Sequence, residues 1–205
     1  MNDVYFFGGG NADGSASDKN LLGGKGANLA EMTTLGIPVP PGFTISTEVC
    51  RHYMKKGDYP DNIKRQVRDV LNQVENIMGQ TFGDAKNPLL VSVRSGARQS
   101  MPGMMETVLN VGLTSKNIPG LIEKSKDERF VYDAYRRLIT MYADVVMEKA
   151  TEIERGEGEG IREKLDEILE KMKERNRVKN DAALSAENLK ELCDIFKSTI
   201  KDTLK

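Results

Sequence analysis

Gly23-Gly24-Lys25-Gly26 places three glycines around one lysine, a composition that lets a backbone come close to a ligand and neutralises a phosphate once there. A second segment, Ser92-Val93-Arg94-Ser95-Gly96-Ala97-Arg98-Gln99-Ser100-Met101-Pro102-Gly103-Met104-Met105-Glu106-Thr107, brings two guanidinium groups to the end of an apolar run. Planar forks of that kind suit phosphate oxygens. The three methionines around Pro102-Gly103 are unusual for a solvent loop, and thioethers adapt to flat apolar surfaces such as a base. Each segment also has a plain structural reading. The first can be a helix-opening turn that contains lysine, and the second a loop whose methionines tuck under the core. Composition alone does not separate the two readings of the first segment, and for the second it favours a loop that meets a ligand.

Neither segment fits the common nucleotide fingerprints. Counting back from Gly24-Lys25, a P-loop needs glycine where Lys19 stands, and Gly26 occupies the serine or threonine position. Gly8–Gly14 likewise fails the dinucleotide pattern. His52, the single histidine, sits in Glu48-Val49-Cys50-Arg51-His52-Tyr53-Met54 and reads as a structural residue. One histidine with Cys50 and Cys193 cannot build a zinc site unaided, and the two cysteines read as reduced thiols of a cytoplasmic protein. The acidic run Glu152–Glu159 reads as a solvated turn, because spaced glutamates in a loop fix no coordination geometry.

The elements that must position these groups follow from periodicity. Val4–Phe7 is predicted as a strand, Ala27–Leu35 as a helix stopped by Gly36, and Phe43–Ile45 as a pairing segment after the prolines. Thr47 is expected to cap a short helix through Met54. Ile63, Val67, Val70, Leu71, Val74, Ile77 and Met78 mark one helical face, ended by Gly79. Leu89–Arg94 is predicted as a buried strand with Leu89, Val91 and Val93 on one face and Arg94 on the more polar one, and Thr107–Leu113 as another strand. Helical stripes follow over Glu128–Lys149, from Ile161 to Met172, and from Leu189 to Ile200 with Ser185 as N-cap. The composition changes near residue 114, so an α/β lobe over 1–114 and a mainly helical subdomain over 115–205 are expected. With 205 residues, 39% apolar content and net charge −1, the chain has enough core material and no one-sided basic surface for nucleic acid. No run approaches the roughly 20 apolar residues of a membrane helix, and the start lacks the basic and apolar regions of a secretory signal.

Four segments in order and spacing resemble the amino-terminal part of the pyruvate, phosphate dikinase family: Asn20–Met32, Ile37–Phe43, Val91–Leu113, and Arg129-Phe130-Val131-Tyr132-Asp133-Ala134-Tyr135-Arg136-Arg137 running on to Met147. The resemblance covers most of residues 4–148 and resumes more loosely in the last helices. It implies the first lobe of an ATP-grasp domain, with ATP bound through Lys25, Arg94 and Arg98, through Gly103 and Met105 of a flap over Ser100–Thr107, and through Arg137. It implies no catalytic or metal-binding residue in this chain. Mg2+ and much of the adenosine would be held by a second lobe after Lys205, and the phosphohistidine domain and pyruvate barrel would also lie outside. The expected partners are ATP and that phosphohistidine domain, in a homodimeric full-length enzyme. The related pyruvate, water dikinases run Arg-Ser-Ser-Ala-Thr where this chain has Arg94-Ser95-Gly96-Ala97-Arg98, which favours the phosphate-using enzymes. The remaining alternative is a stand-alone nucleotide- or partner-binding module.

Overall fold

The computed structural model describes residues 2–95, 107–151 and 159–204. Contacts divide the described residues into two compact units: residues 2–80 with 95, and residues 81–94 with 107–151 and 159–204. Within the second unit, the strand pair formed by residues 91–94 and 107–111 packs on a helix.

In the first unit, β1 (Val4–Gly8) lies at the centre of a three-stranded antiparallel sheet, between β2 (Asn11–Ala12) and β3 (Gly42–Ile45). Phe6 stands opposite Phe43, and Val4 opposite Ile45. Val4, Phe6 and Phe7 are buried under α1 (Lys19–Thr34) and α3 (Ile63–Met78), which bring Leu22, Ala27 and Ala30 and Ile63, Val70 and Val74. Gln66 fixes α3 to the sheet: its Oε1 accepts from the backbone N–H of Asp3 at 2.7 Å and of Val4 at 3.2 Å. Gly79 ends α3 in the left-handed conformation, as its place after the stripe predicts. Between these helices, α2 (Thr47–Lys56) starts one residue earlier than expected in capping terms. Ser46 holds the N-cap position, while the Thr47 hydroxyl donates to the Asn20 carbonyl of α1 at 2.7 Å. A side chain recruited by a neighbouring helix is not available to its own.

In the second unit, β4 (Val91–Arg94) and β5 (Thr107–Val111) form an antiparallel pair, and β5 packs on α5 (Glu128–Tyr142). Two cores flank α5. One gathers Val108, Leu113, Ile118, Val131 and Leu138 around β5 and α4 (Ile118–Ser125). The other is built by α6 (Ile161–Asn176) and α7 (Ala186–Thr203), with Leu165, Leu169, Leu189, Leu192 and Phe196 at its centre. Ser185 caps α7 reciprocally: its Oγ accepts from Asn188 N–H and Asn188 Oδ1 accepts from Ser185 N–H, both at 3.2 Å.

The helix of α5 continues as a π-helical turn, Ala143–Glu148. Two of its acids hold the start of α6. Glu148 Oε1 accepts from Ile161 N–H at 2.8 Å, and Asp144 pairs with Arg162 at 2.6 Å. Gly160, the N-cap residue, has no side chain to offer, so Glu148 supplies the missing acceptor. Glu148→Ala is therefore expected to destabilise the second unit by about 1 kcal/mol, the usual worth of an N-cap acceptor. Urea unfolding followed by circular dichroism checks this, and unchanged stability would remove the capping role.

Candidate functional site

Lys25 lies in α1, which begins a full turn before the expected glycine turn. Ser15 and Asp18 form a capping box, with Asp18 Oδ2 accepting from Ser15 N–H at 2.9 Å, that starts the short 3-10 turn Ala16–Asp18 leading into α1. Gly23 separates a short helical turn over 19–22 from the longer helical run over 24–34, so the glycine turn does open a helix, three residues earlier than Ala27. Gly23, at φ 70° and ψ 168°, is the single non-helical residue, and no other residue type adopts that conformation cheaply. Gly26 then sits against β3: a Cβ there would stand 2.7 Å from Thr44 Cγ2 and 2.8 Å from its Oγ1. Gly24 is different. A Cβ on it would meet nothing within 4 Å, so packing does not require glycine at that position. Lys25, next to this open position, is half-buried and forms no ion pair among the described residues.

Arg94 ends β4 with its Cα opposite Thr107 of β5. The expectation of a buried strand is corrected. Leu89 is buried and Val91 half-buried, but Ser92, Val93 and Arg94 are exposed, Val93 by 53%. The physical reason is that β5 takes the helix contact through Val108, leaving β4 as the outer strand of a two-stranded sheet. The register also shifts between Val91 and Val93, where β5 carries an extra residue near Asn110 at φ 60°. Arg94 forms no ion pair among the described residues, so its charge is available. Arg98, Gly103 and Met105, with residues 100–106 of the flap, lie outside the described residues, as do 152–158 of the acidic run.

Arg137 is on α5 and its side chain is 60% exposed. Its Nε donates to Asp133 Oδ2 at 3.0 Å. The other oxygen, Asp133 Oδ1, accepts from buried Arg136 through Nη2 at 2.7 Å and Nε at 3.2 Å. Arg136 Nη2 also reaches Asp181 Oδ2 at 3.2 Å, and Asp181 Oδ1 lies 3.4 Å from Lys173 of α6. Arg129 joins from the start of α5, donating to the carbonyls of Asp181 at 3.0 Å and Leu184 at 3.0 Å. Sequence reasoning missed this network. Arg129, Asp133 and Arg136 were visible in one motif, but Asp181 is 45 residues from Arg136 and nothing in its local sequence marks it.

The other reactive groups are accounted for. Cys193 is buried beside the Tyr132 carbonyl, and burial pushes its thiol up to about 12, which keeps it protonated and unreactive. His52 is 3.1 Å from Asp58, across the turn that ends α2. An open depression of about 470 Å³ between Asp3, Glu48, Arg51, His52 and Lys55 is lined by none of the candidate residues, and Arg51 there already pairs with Glu48. Among the described residues, no cluster of histidines, cysteines and carboxylates could hold a metal ion, and no helix is long and apolar enough to cross a membrane.

Comparison with known proteins adds to this geometry. Residues 19–77 match the family described as pyruvate phosphate dikinase, AMP/ATP-binding domain. Over 98% of its length the chain is 47% identical to a pyruvate, phosphate dikinase of Rhizobium meliloti, covering 21% of that protein. It is 46% identical over 94% of its length to one from Clostridium symbiosum, again 21% of the relative. A chloroplastic pyruvate, phosphate dikinase of Arabidopsis thaliana is 49% identical over 95% of the chain, which covers 19% of it. The chain thus spans about a fifth of the length of the curated relatives it matches, and corresponds to their amino-terminal portion.

Proposed function

We propose that this chain, similar across nearly all its length to the amino-terminal fifth of pyruvate, phosphate dikinases, is the ATP-binding portion of such an enzyme. The full-length similarity is the observation that carries the reading, since motifs from both units fall within it. The reaction is a phosphotransfer in which ATP, inorganic phosphate and pyruvate become AMP, pyrophosphate and phosphoenolpyruvate through a phosphohistidine on another domain. Lys25, Arg94 and Arg98 hold the phosphates and offset the charge that builds on them during transfer, with Gly103 and Met105 of the flap and Arg137 as further contacts. Exposed Arg94 and half-buried Lys25, neither in an ion pair among the described residues, and sterically open Gly24 beside Lys25 support these roles.

In this reading residues 1–114 form the first lobe of an ATP-grasp domain and 115–205 a helical subdomain. The mixture of helices and small antiparallel sheets is compatible with that assignment. Mg2+ is held by carboxylates of the second lobe, outside these residues. The full-length enzyme is a cytoplasmic homodimer.

The chain by itself supplies cations for phosphate but not the second lobe's contacts. A half-site open to water also lacks the low-dielectric surroundings that strengthen such contacts. ATP is expected to bind with a Kd of about 0.1 mM or weaker, falling further with salt because exposed phosphate–cation pairs are screened. No AMP should form. Isothermal titration with ATP and Mg2+ tests this. Micromolar binding, or AMP above background, would mean that the chain carries a complete site.

A further inference from the structure

Arginine has five N–H donors, and Arg137 spends one of them among the described residues. Its Nε meets Asp133, while neither Nη group has a partner among the described residues and the side chain is largely exposed. An Asp–Arg pair at i,i+4 is common on helix surfaces and contributes little. This one differs in what stands behind the carboxylate. Asp133 is only 15% exposed, and its second oxygen is gripped through two nitrogens by Arg136, itself 7% exposed. Arg136 is fixed in turn by Asp181, which also meets Lys173. Asp133 Oδ2 is therefore a fixed point, set by α5, α6 and the turn at Asp181, and not a mobile surface group.

We propose that Asp133 is a positioning residue: it holds Arg137 by Nε so that the two Nη groups face outward as a ready fork for phosphate oxygens. This rests on the reading of Arg137 as an ATP contact. A free arginine loses side-chain entropy when it closes on a ligand, and an arginine already held by its inner nitrogen loses less. Bidentate guanidinium–phosphate contact uses the outer edge that Asp133 leaves open. The opposing effect is that a carboxylate beside the guanidinium competes with the incoming phosphate. The sign of one measured change separates the two.

The test is ATP titration of this chain and its variants, followed by NMR, which reads weak binding. R137Q is expected to raise the Kd for ATP by about threefold to tenfold. D133N is expected to raise it by about threefold, and to add nothing in an R137Q background. D181N disturbs the same buried network from its other end without touching Arg137, and should leave the Kd nearly unchanged. An unchanged or lower Kd in D133N overturns the proposal, and so does an effect of D181N as large as that of D133N. If R137Q itself has no effect, the assignment of Arg137 to ATP fails and the positioning role falls with it, whatever D133N does. Should D133N not fold, the unmodified chain still decides. The Arg137 Nε–H signal should stay protected from exchange when ATP is added, whereas loss of protection would show that ATP takes the place of Asp133.

Discussion

Arg94→Ala in a full-length enzyme is expected to slow the ATP half-reaction by about tenfold to a hundredfold or more, while exchange between phosphohistidine and pyruvate keeps its rate. The magnitude follows from losing a charge-assisted hydrogen bond to phosphate, about 1.5–3 kcal/mol, with more lost where the contact tightens in the transition state. The structure makes the comparison clean. Arg94 is exposed at the end of β4 and forms no ion pair among the described residues, so its removal should change stability by no more than about 0.5 kcal/mol. Rapid-quench measurement of each half-reaction, with a melting curve beside it, gives the answer. Equal losses in both half-reactions would point to damaged folding and sink the phosphate role.

The second large effect concerns stability. Arg136→Ala removes the cation between Asp133 and Asp181 in a setting where Asp133 is 15% and Asp181 34% exposed. Breaking a buried pair by deleting one partner costs about 3–5 kcal/mol because the other charge is left uncompensated. Here Asp133 retains Arg137 and Asp181 retains Lys173, so about 2–4 kcal/mol is expected. The loss should be confined to the second unit, where α5, α6 and the Asp181 turn share the network. Amide exchange over Glu128–Tyr142 and Ile161–Asn176 would show it as lowered protection, with α3 unaffected. A loss below about 1 kcal/mol would mean that the network is a set of independent surface pairs.

Much of the local structure was legible because its causes are local. Gly79 after an apolar stripe, and Ser185 three residues before Asn188, act through their immediate neighbours, and the helices end and start where these residues stand. Two misreadings had non-local causes. Thr47 looked like a cap, but its hydroxyl is used by Asn20, 27 residues away. The alternation Leu89, Val91, Val93 looked like one buried face, but which strand of a pair meets the helix depends on β5 and α5, not on β4. The start of α1 was a different case. Ser15 and Asp18 cap only the short turn Ala16–Asp18, while the kink at Gly23 opens the longer helical run close to where the glycines predict it. As for the candidate site, single residues could be named from chemistry and from the resemblance. The ion network behind Arg137 could not, because it joins segments that are distant in the chain.

The outer strand β4 has a consequence for handling the chain at high concentration. No strand pairs with its free side among the described residues, and Val93 is exposed on it. Unpaired backbone donors and acceptors beside an exposed β-branched residue form a template on which a second molecule can add its own strand. Natural edges are guarded by charge and by irregularity. This hairpin has both, in the terminal guanidinium of Arg94 and in the extra residue near Asn110. Arg94, proposed above as a phosphate contact, is thus also placed to guard this edge against aggregation.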